Sequence, residues 1–179
     1  MAVRKTRKSS YFKGRRKNRI WSLIIGLLVL LSLFAFAQGK VIKVTDGDSL
    51  TVLTAEGKFA SVRLYGIDCP EFRQAGGPEA TALTNDLAFL KEVKITVIDV
   101  DQYGRSVALV HLPDGRILNQ ELVAAGHAWV YTNYCKESFC TGWKLLEQKA
   151  RAEKKGLWAK PNPKAPWNWR KENRGDLAH

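Results

Sequence analysis

The sequence contains few of the residues that bind soft metal ions. Its 179 residues include three histidines and three cysteines. The histidines are His111, His127 and His179, and their positions show no metal-ligand spacing. A structural zinc site needs several Cys or His ligands at close, regular separations. The sequence therefore argues against a zinc protein, and we interpret His111 and His127 as packing or surface residues.

Two of the three cysteines, Cys135 and Cys140, are close together in the sequence, whereas Cys69 is isolated. Such a pair favours a short structural disulfide when the domain lies in an oxidising compartment. Two free thiols, or a pair with a redox role, are the alternatives that the spacing leaves open.

Acidic residues are absent from residues 1–37. A basic run occupies residues 4–19, and the uncharged residues 20–37 follow it. This order predicts either a cleaved signal peptide or a retained membrane anchor. The small-x-small pattern Ala-Phe-Ala at 35–37 would place the cleavage site before Gln38.

Both interpretations place residues 38–179 outside the cytoplasm, either secreted or periplasmic, or tethered to the membrane. If the segment is retained, residues 20–37 provide the expected membrane contact. A basic arm that binds nucleic acid is a third interpretation. It does not explain the apolar run at 27–31, because such a run would have to be buried.

Repeats and low-complexity stretches are also absent. Hydrophobic residues make up 45% of the sequence and charged residues 26%, which excludes wholesale disorder, a collagen-like chain and a polytopic membrane protein. The 29 Lys and Arg outnumber the 17 Asp and Glu, but nine of the basic residues lie in 4–19. The high net charge is therefore weak evidence for a nucleic-acid partner.

Hydrophobic alternation between turn signals predicts five short strands, at 41–44, 50–53, 59–64, 93–97 and 106–112. Helical spacing predicts three helices, at 78–90, 118–123 and 143–154, the second of them capped by Asn119. This series predicts a mainly β, α+β domain over 38–160, a five-stranded OB-fold barrel with about three helices. The Pro- and Trp-rich tail, 161–179, cannot continue a helix, and we expect its tryptophans to dock on the domain.

Charged side chains concentrate in three short segments at predicted strand ends and turns, at 46–49, 63–71 and 101–105. Asp48, Asp68 and Glu71 are oxygen donors of the kind that a hard cation such as calcium prefers. Arg63 and Arg105 complement them, because a guanidinium binds phosphate oxygens in a bidentate way. Each segment taken alone is typical of an ordinary turn, but independent turns have no reason to supply all five charged residues together.

These residues resemble the staphylococcal nuclease (thermonuclease) family, and in particular its exported bacterial members. The motifs Asp-Gly-Asp-Ser at 46–49, Arg63 to Glu71 and Asp-x-Tyr-Gly-Arg at 101–105 occur in the order of the family. The resemblance extends from about 41 to 158. It implies an OB-fold nuclease that hydrolyses DNA and RNA with calcium, with single strands preferred, 3′-phosphate products and a monomeric state.

The resemblance also implies a role for each residue of the motifs. The residues that it places around calcium are Asp48, Asp68 and Cys69, the last through its main-chain carbonyl. The residues that it places around the phosphate are Arg63, Arg105 and Tyr103. Glu71 corresponds to the glutamate that orients the attacking water.

Two features depart from the family's type protein, and one correspondence stays open. Gln102 stands where the type protein has a lysine near the terminal phosphate, and the loop between Glu71 and Pro78 is shorter. The tyrosines that flank the base correspond to Tyr131 or Tyr134, and the register between these two stays open.

Two other functions compete with the nuclease interpretation. One is an OB-fold module that binds single strands without cleaving them. It does not explain carboxylates beside a phosphate, since these repel each other unless a cation lies between them. The other is a membrane-tethered structural or adhesion domain, which requires a retained hydrophobic segment and no activity.

Overall fold

A computed structural model describes residues 37–173 of the chain. Apart from Ala37, the predicted signal or anchor segment lies outside these residues, as does His179. Within the described range, no helix is both long enough and apolar enough to cross a membrane.

The centre of the domain is a closed five-stranded barrel, which confirms the predicted fold. Its strands are β1 (Ala37–Asp46), β2 (Ser49–Thr54), β3 (Phe59–Leu64), β5 (Glu92–Val100) and β6 (Ser106–His111). The first three form an antiparallel meander, β5 pairs with β1 and β6, and a parallel pairing of β3 with β6 closes the barrel. β1 and β5 are longer than predicted, and register shifts within both strands are the irregularities that let a long strand bend.

A two-stranded sheet beside the barrel was not predicted. It consists of β4 (Ile67–Asp68) and β7 (Trp129–Val130) in antiparallel pairing, with Asp68 opposite Trp129. A strand of two residues is too short to show alternation in the sequence, so the sequence does not predict a strand at Asp68. The pairing fixes the backbone of this aspartate.

Four α-helices and one short 3₁₀ helix accompany the strands in the described part of the chain. They are α1 (Gly77–Ala88), α2 (Leu118–Ala124), α3 (Cys140–Ala152), the 3₁₀ helix (Gly156–Ala159) and α4 (Pro166–Glu172). The last helix, α4, was not predicted from the sequence. The prolines do end the preceding helical segment, but Pro166 occupies the first position of α4, where a missing N–H costs nothing.

The hydrophobic residues form two clusters. The larger one fills the barrel and the space under α1 and α2, and Val41, Val52 and Leu122 within it are fully buried. The smaller one contains Trp129 and Trp158, and residues of the tail pack against it. The described part of the tail, residues 161–173, is therefore packed against the domain.

Asn119 does not cap a helix. It lies within α2, fully buried, and its amide donates to the carbonyls of Tyr65 (3.0 Å) and Ala108 (3.1 Å) and accepts from the N–H of Val110 (3.2 Å). The cap position belongs to Ile117, which forms no side-chain cap. A cap prediction weighs only local sequence, whereas this amide satisfies distant backbone groups that would otherwise be buried without partners.

The two neighbouring cysteines form a disulfide in the structure. Cys135 and Cys140 are both buried, their Cα atoms are 5.8 Å apart, and Cys140 begins α3. Cys69 is a buried free thiol.

Reduction of the Cys135–Cys140 disulfide should lower the free energy of unfolding by about 2 kcal/mol, because the closed loop is short and restricts the unfolded chain only modestly. The measurement is urea denaturation of residues 38–179 with and without a phosphine reductant. The Cys135→Ser/Cys140→Ser variant is the control, since the reductant should leave its midpoint unchanged. An identical midpoint for oxidised and reduced parent protein would contradict the expectation.

Candidate active site

The Asp-Gly-Asp-Ser segment forms the tight turn between β1 and β2. Asp46 accepts a hydrogen bond from the N–H of Asp48 (3.1 Å), and Thr84 of α1 donates to the carbonyl of Gly47 (2.7 Å). A Cβ on Gly47 would lie 2.8 Å from the Cβ atoms of both Ala80 and Cys69. The glycine therefore lets the turn press against α1, which buries Asp48.

Arg63 lies between two buried carboxylates. Its Nη1 donates to Oδ1 of Asp48 and its Nη2 to Oδ1 of Asp68, the latter at 2.6 Å. Asp48 and Asp68 are 1% and 0% exposed, so the guanidinium is their nearest compensating charge. The N–H of Cys69 donates to the other oxygen of Asp48 (2.6 Å).

Burial and the neighbouring charges together shift the pKa values of this cluster. It raises the pKa of Asp48 well above the usual carboxyl range, and the charge of Arg63 opposes that effect. Burial alone would lower the pKa of Arg63, but the two carboxylates raise it above its ordinary value, so that this side chain stays cationic. Burial, reinforced by Asp48, also raises the pKa of the Cys69 thiol. A neutral thiol is a poor metal ligand, which leaves the main-chain carbonyl as the donor that Cys69 could offer.

Glu71 follows β4 on a short loop at the same end of the barrel. Its N–H donates to the side chain of Gln74 (3.3 Å), and a Cβ on Gly77 would lie only 1.9 Å from its carbonyl oxygen. The start of α1 therefore packs directly against this loop. The carboxylate of Glu71 is 29% exposed, in contrast to the two buried aspartates.

A second arginine, Arg170 of α4, completes the cluster and was missed by the sequence analysis. Its Nη2 donates to Oδ2 of Asp68 (2.7 Å), and its Nη1 donates to Oδ1 of Asp68 (3.2 Å) and to Oε1 of Glu71 (2.7 Å). Desolvation would lower its pKa, but its hydrogen bonds to Asp68 and Glu71 raise the pKa of Arg170 above its ordinary value. The sequence contained one signal for this helix. Pro166 is a residue typical of a helix start, and Trp167 and Trp169 follow it.

Arg105 lies on the turn between β5 and β6. Its Nε donates to Oδ2 of Asp101 (2.7 Å), and its guanidinium carbon is 5.5 Å from the centre of the Tyr103 ring. β6 pairs with β3 so that Val107 is opposite Arg63, which places Arg105 one strand away from that arginine. Among residues 37–173, the partners of Arg105 are those of its own turn, and the structure does not bring it into contact with the buried carboxylates.

An aromatic group lies beside this end of the barrel. The rings of Tyr131 and Trp167 stack at 4.9 Å with an interplanar angle of 10°, and Tyr134 is 4.8 Å from Tyr131 on centroids. Tyr103, on the turn, is 75% exposed. The tail tryptophan thus contacts one of the two tyrosines proposed for a base-binding position.

The side chains present fit a hard cation. Asp48 and Asp68 offer carboxylate oxygens, and oxygen-only donor sets suit calcium or magnesium. Within the described residues, no group of three or more His, Cys, Asp or Glu is arranged so that it could hold a metal ion by itself. A cation bound here would therefore need water, backbone or substrate oxygens as further ligands.

Comparisons with known proteins identify the family of the chain. Residues 61–160 match the family model described as "Staphylococcal nuclease homologue". An "Uncharacterized endonuclease" of Escherichia coli O157:H7 is 38% identical over 138 residues, 77% of this chain and 88% of that protein. The "Micrococcal nuclease" of Shigella flexneri is 35% identical over 156 residues, 83% of this chain and 88% of that protein.

A further relative, an "Uncharacterized endonuclease" of Haemophilus influenzae, is 35% identical over 156 residues and covers 85% of each chain. The family model covers more than half of the chain, and the three relatives align over most of their own lengths. The chain therefore belongs to the staphylococcal nuclease family, and it is a nuclease, a hydrolase that acts on nucleic acid.

Proposed function

We propose that this nuclease depends on calcium, hydrolyses both DNA and RNA with a preference for single strands, and leaves 3′-phosphate products. The observation that carries the proposal is the pair of buried carboxylates, Asp48 and Asp68, bridged by Arg63 and adjacent to Glu71. Carboxylates repel a phosphate that binds beside them. They favour phosphate binding only when a cation lies between the carboxylates and the phosphate. A module that merely binds nucleic acid would gain nothing from them.

The main obstacle to phosphodiester hydrolysis is negative charge, which accumulates on the phosphoryl oxygens in the transition state. Asp48 and Asp68, with the main-chain carbonyl of Cys69, would hold the calcium ion. When bound, the ion supplies positive charge next to a phosphate oxygen. The two aspartates thus fix the place where that charge acts.

The arginines provide the second source of positive charge. A guanidinium has five N–H donors, and Arg63 uses two of them on Asp48 and Asp68, so that it retains donors for a phosphate oxygen. Arg105 is oriented through its Nε by Asp101, and its two Nη groups form no hydrogen bond with a carboxylate of the described residues. Both arginines can therefore bind the phosphate as its charge grows.

Glu71 is suited to act on the attacking water. Its carboxylate is partly exposed at the edge of the cluster, where a water molecule can reach it, whereas both aspartates are buried. In this role the carboxylate orients the water and accepts its proton at an Oε atom. Tyr103, exposed on the turn beside Arg105, is placed to contact the nucleotide next to the phosphate.

We also propose that residues 38–179 act outside the cytoplasm as a monomer. The basic run and uncharged segment that precede Gln38 support export, and the disulfide between Cys135 and Cys140 suits an oxidising compartment. A cut before Gln38 would remove one residue from β1 and leave the pairing of Gln38 with Lys94 intact.

Export should be visible at the N-terminus of the protein. Mass spectrometry of protein recovered outside the cytoplasm should find a chain that begins at or near Gln38. Full-length protein in the membrane fraction would instead favour the retained anchor. A soluble, full-length cytoplasmic form would contradict both.

Glu71→Gln should lower kcat by about 10²- to 10⁴-fold, because the amide can no longer accept the proton of the attacking water. Arg105→Ala should lower kcat by about 10²- to 10³-fold, as expected for the loss of one transition-state donor. The measurement is kcat and KM on a short single-stranded oligonucleotide, with calcium and then with chelator. Glu56→Gln, on the exposed β2–β3 turn, is the control and should match the parent. If folded Glu71→Gln and Arg105→Ala variants both cleave at the parent rate, the binding-module interpretation takes precedence.

Calcium should bind through Asp48, so Asp48→Asn should weaken calcium binding. A ligand present at 100 times its Kd stabilises the folded state by about 2.7 kcal/mol. Calcium should therefore raise the melting temperature of the parent protein and have a smaller effect on Asp48→Asn. Calorimetric titration and thermal melts check this without any substrate. Asp114→Asn, at an exposed ion pair, should respond to calcium like the parent, and an equal response from Asp48→Asn would show that calcium binds elsewhere.

A further inference from the structure

The C-terminal helix α4 brings a charged side chain to the active site from 102 residues along the chain. We infer that Arg170 is a positioning residue of the nuclease site, whose guanidinium holds Asp68 and Glu71 in a fixed relative geometry. This inference rests on the proposed function, because it assigns Arg170 to the carboxylates that the proposal uses.

The contacts of Arg170 join two residues with different tasks. One edge of the guanidinium is bidentate on Asp68, at 2.7 and 3.2 Å, and Nη1 also donates to Glu71 at 2.7 Å. A rigid, planar fork can impose such an arrangement, whereas a flexible ammonium cannot. Asp68 is thereby held by two arginines, with Arg63 on its other side.

The position of Glu71 makes such support necessary. It lies on a short loop with a partly exposed carboxylate, and an unsupported glutamate side chain has several rotamers. A catalytic group must be held within about 0.5 Å of its working position by neighbours that are themselves fixed. In addition, Asp68 and Glu71 carry like charges that would repel each other without a cation between them.

Helix α4 is anchored by contacts that do not involve Arg170. The buried Gln74 accepts from the N–H of Glu71 and donates to the carbonyl of Lys164 at 2.6 Å, so it links the catalytic loop to the tail. Pro166 is buried, and Trp167 stacks on Tyr131. These anchors matter because a helix of seven residues is not stable alone. Substitution of Arg170 should therefore leave α4 in place.

A positioning role predicts a specific kinetic signature. Arg170 contacts carboxylates of the site, so its loss should reduce turnover more than substrate binding. By comparison with outer-shell partners of other active sites, Arg170→Ala should lower kcat by about 10- to 100-fold with little change in KM. Arg170→Lys should recover only part of the loss, because an ammonium retains the charge but not the fork.

The experiment measures kcat and KM of the full residues 38–179 with calcium and a single-stranded oligonucleotide, for the parent, Arg170→Ala and Arg170→Lys. The matched control is Arg116→Ala. Arg116 also bridges two carboxylates, Asp114 at 2.7 Å and Glu121 at 2.8 Å, but on the surface away from the cluster. The kcat of the Arg116→Ala variant should equal that of the parent.

A second measurement does not depend on activity. In calcium-free protein, the side-chain carboxyl ¹³C resonance of Glu71, assigned through its loss in Glu71→Gln, should shift or broaden in Arg170→Ala and stay unchanged in Arg116→Ala. If the parent does not cleave nucleic acid, the proposed function fails, but this resonance still decides the role of Arg170.

Three results would overturn the inference. An Arg170→Ala variant with parent kcat and an unchanged Glu71 resonance would show that the contact does not position the carboxylate. A raised kcat would show that α4 obstructs the site. An Arg170→Lys variant at the parent rate would show that the fork is unnecessary, and this outcome decides the question even if Arg170→Ala does not fold.

Discussion

The ion pairs of Arg63 with Asp48 and Asp68 are the interaction on which the site depends. A buried carboxylate without a partner is unfavourable by several kcal/mol, and this domain buries two of them almost completely. Three separate parts of the chain must meet for this pairing, namely the β1–β2 turn, the end of β3 and the short strand β4. The close contacts of Gly47 with Ala80 and Cys69 therefore support the site as well as the fold, because they bring the β1–β2 turn into place.

Charge compensation also explains the layout around this pairing. In the described structure, the two buried aspartates face two guanidinium groups, and the more exposed Glu71 shares one of these with Asp68. The cluster thus contains three acidic side chains and two arginines, one acidic group more than basic groups, at the place where the proposed cation would bind. Arg105, paired with Asp101 on the turn between β5 and β6, stands outside this balance.

The barrel could be predicted from the sequence because each of its strands shows alternation over four or more residues. The two-residue strand β4 could not, and its partner β7 follows 61 residues later.

The grouping of Asp48, Arg63, Asp68 and Glu71 was predictable because turn motifs and a family resemblance marked them. Arg170 was not, since a lone arginine in a tail carries no local signal. Asn119 shows the same limit, because its partners lie 9 to 54 residues away.

The distance along the chain between Arg170 and the rest of the cluster affects how the protein is made. Ribosomes release a chain from its N-terminus, so Asp48, Arg63 and Asp68 emerge well before α4. Until residue 170 has emerged, Glu71 and Asp68 lack the group that joins them, and the nascent domain carries an unfinished hydrolytic site. The hydrogen bonds that join these two carboxylates through Arg170 can therefore form only after every strand of the barrel has been synthesised.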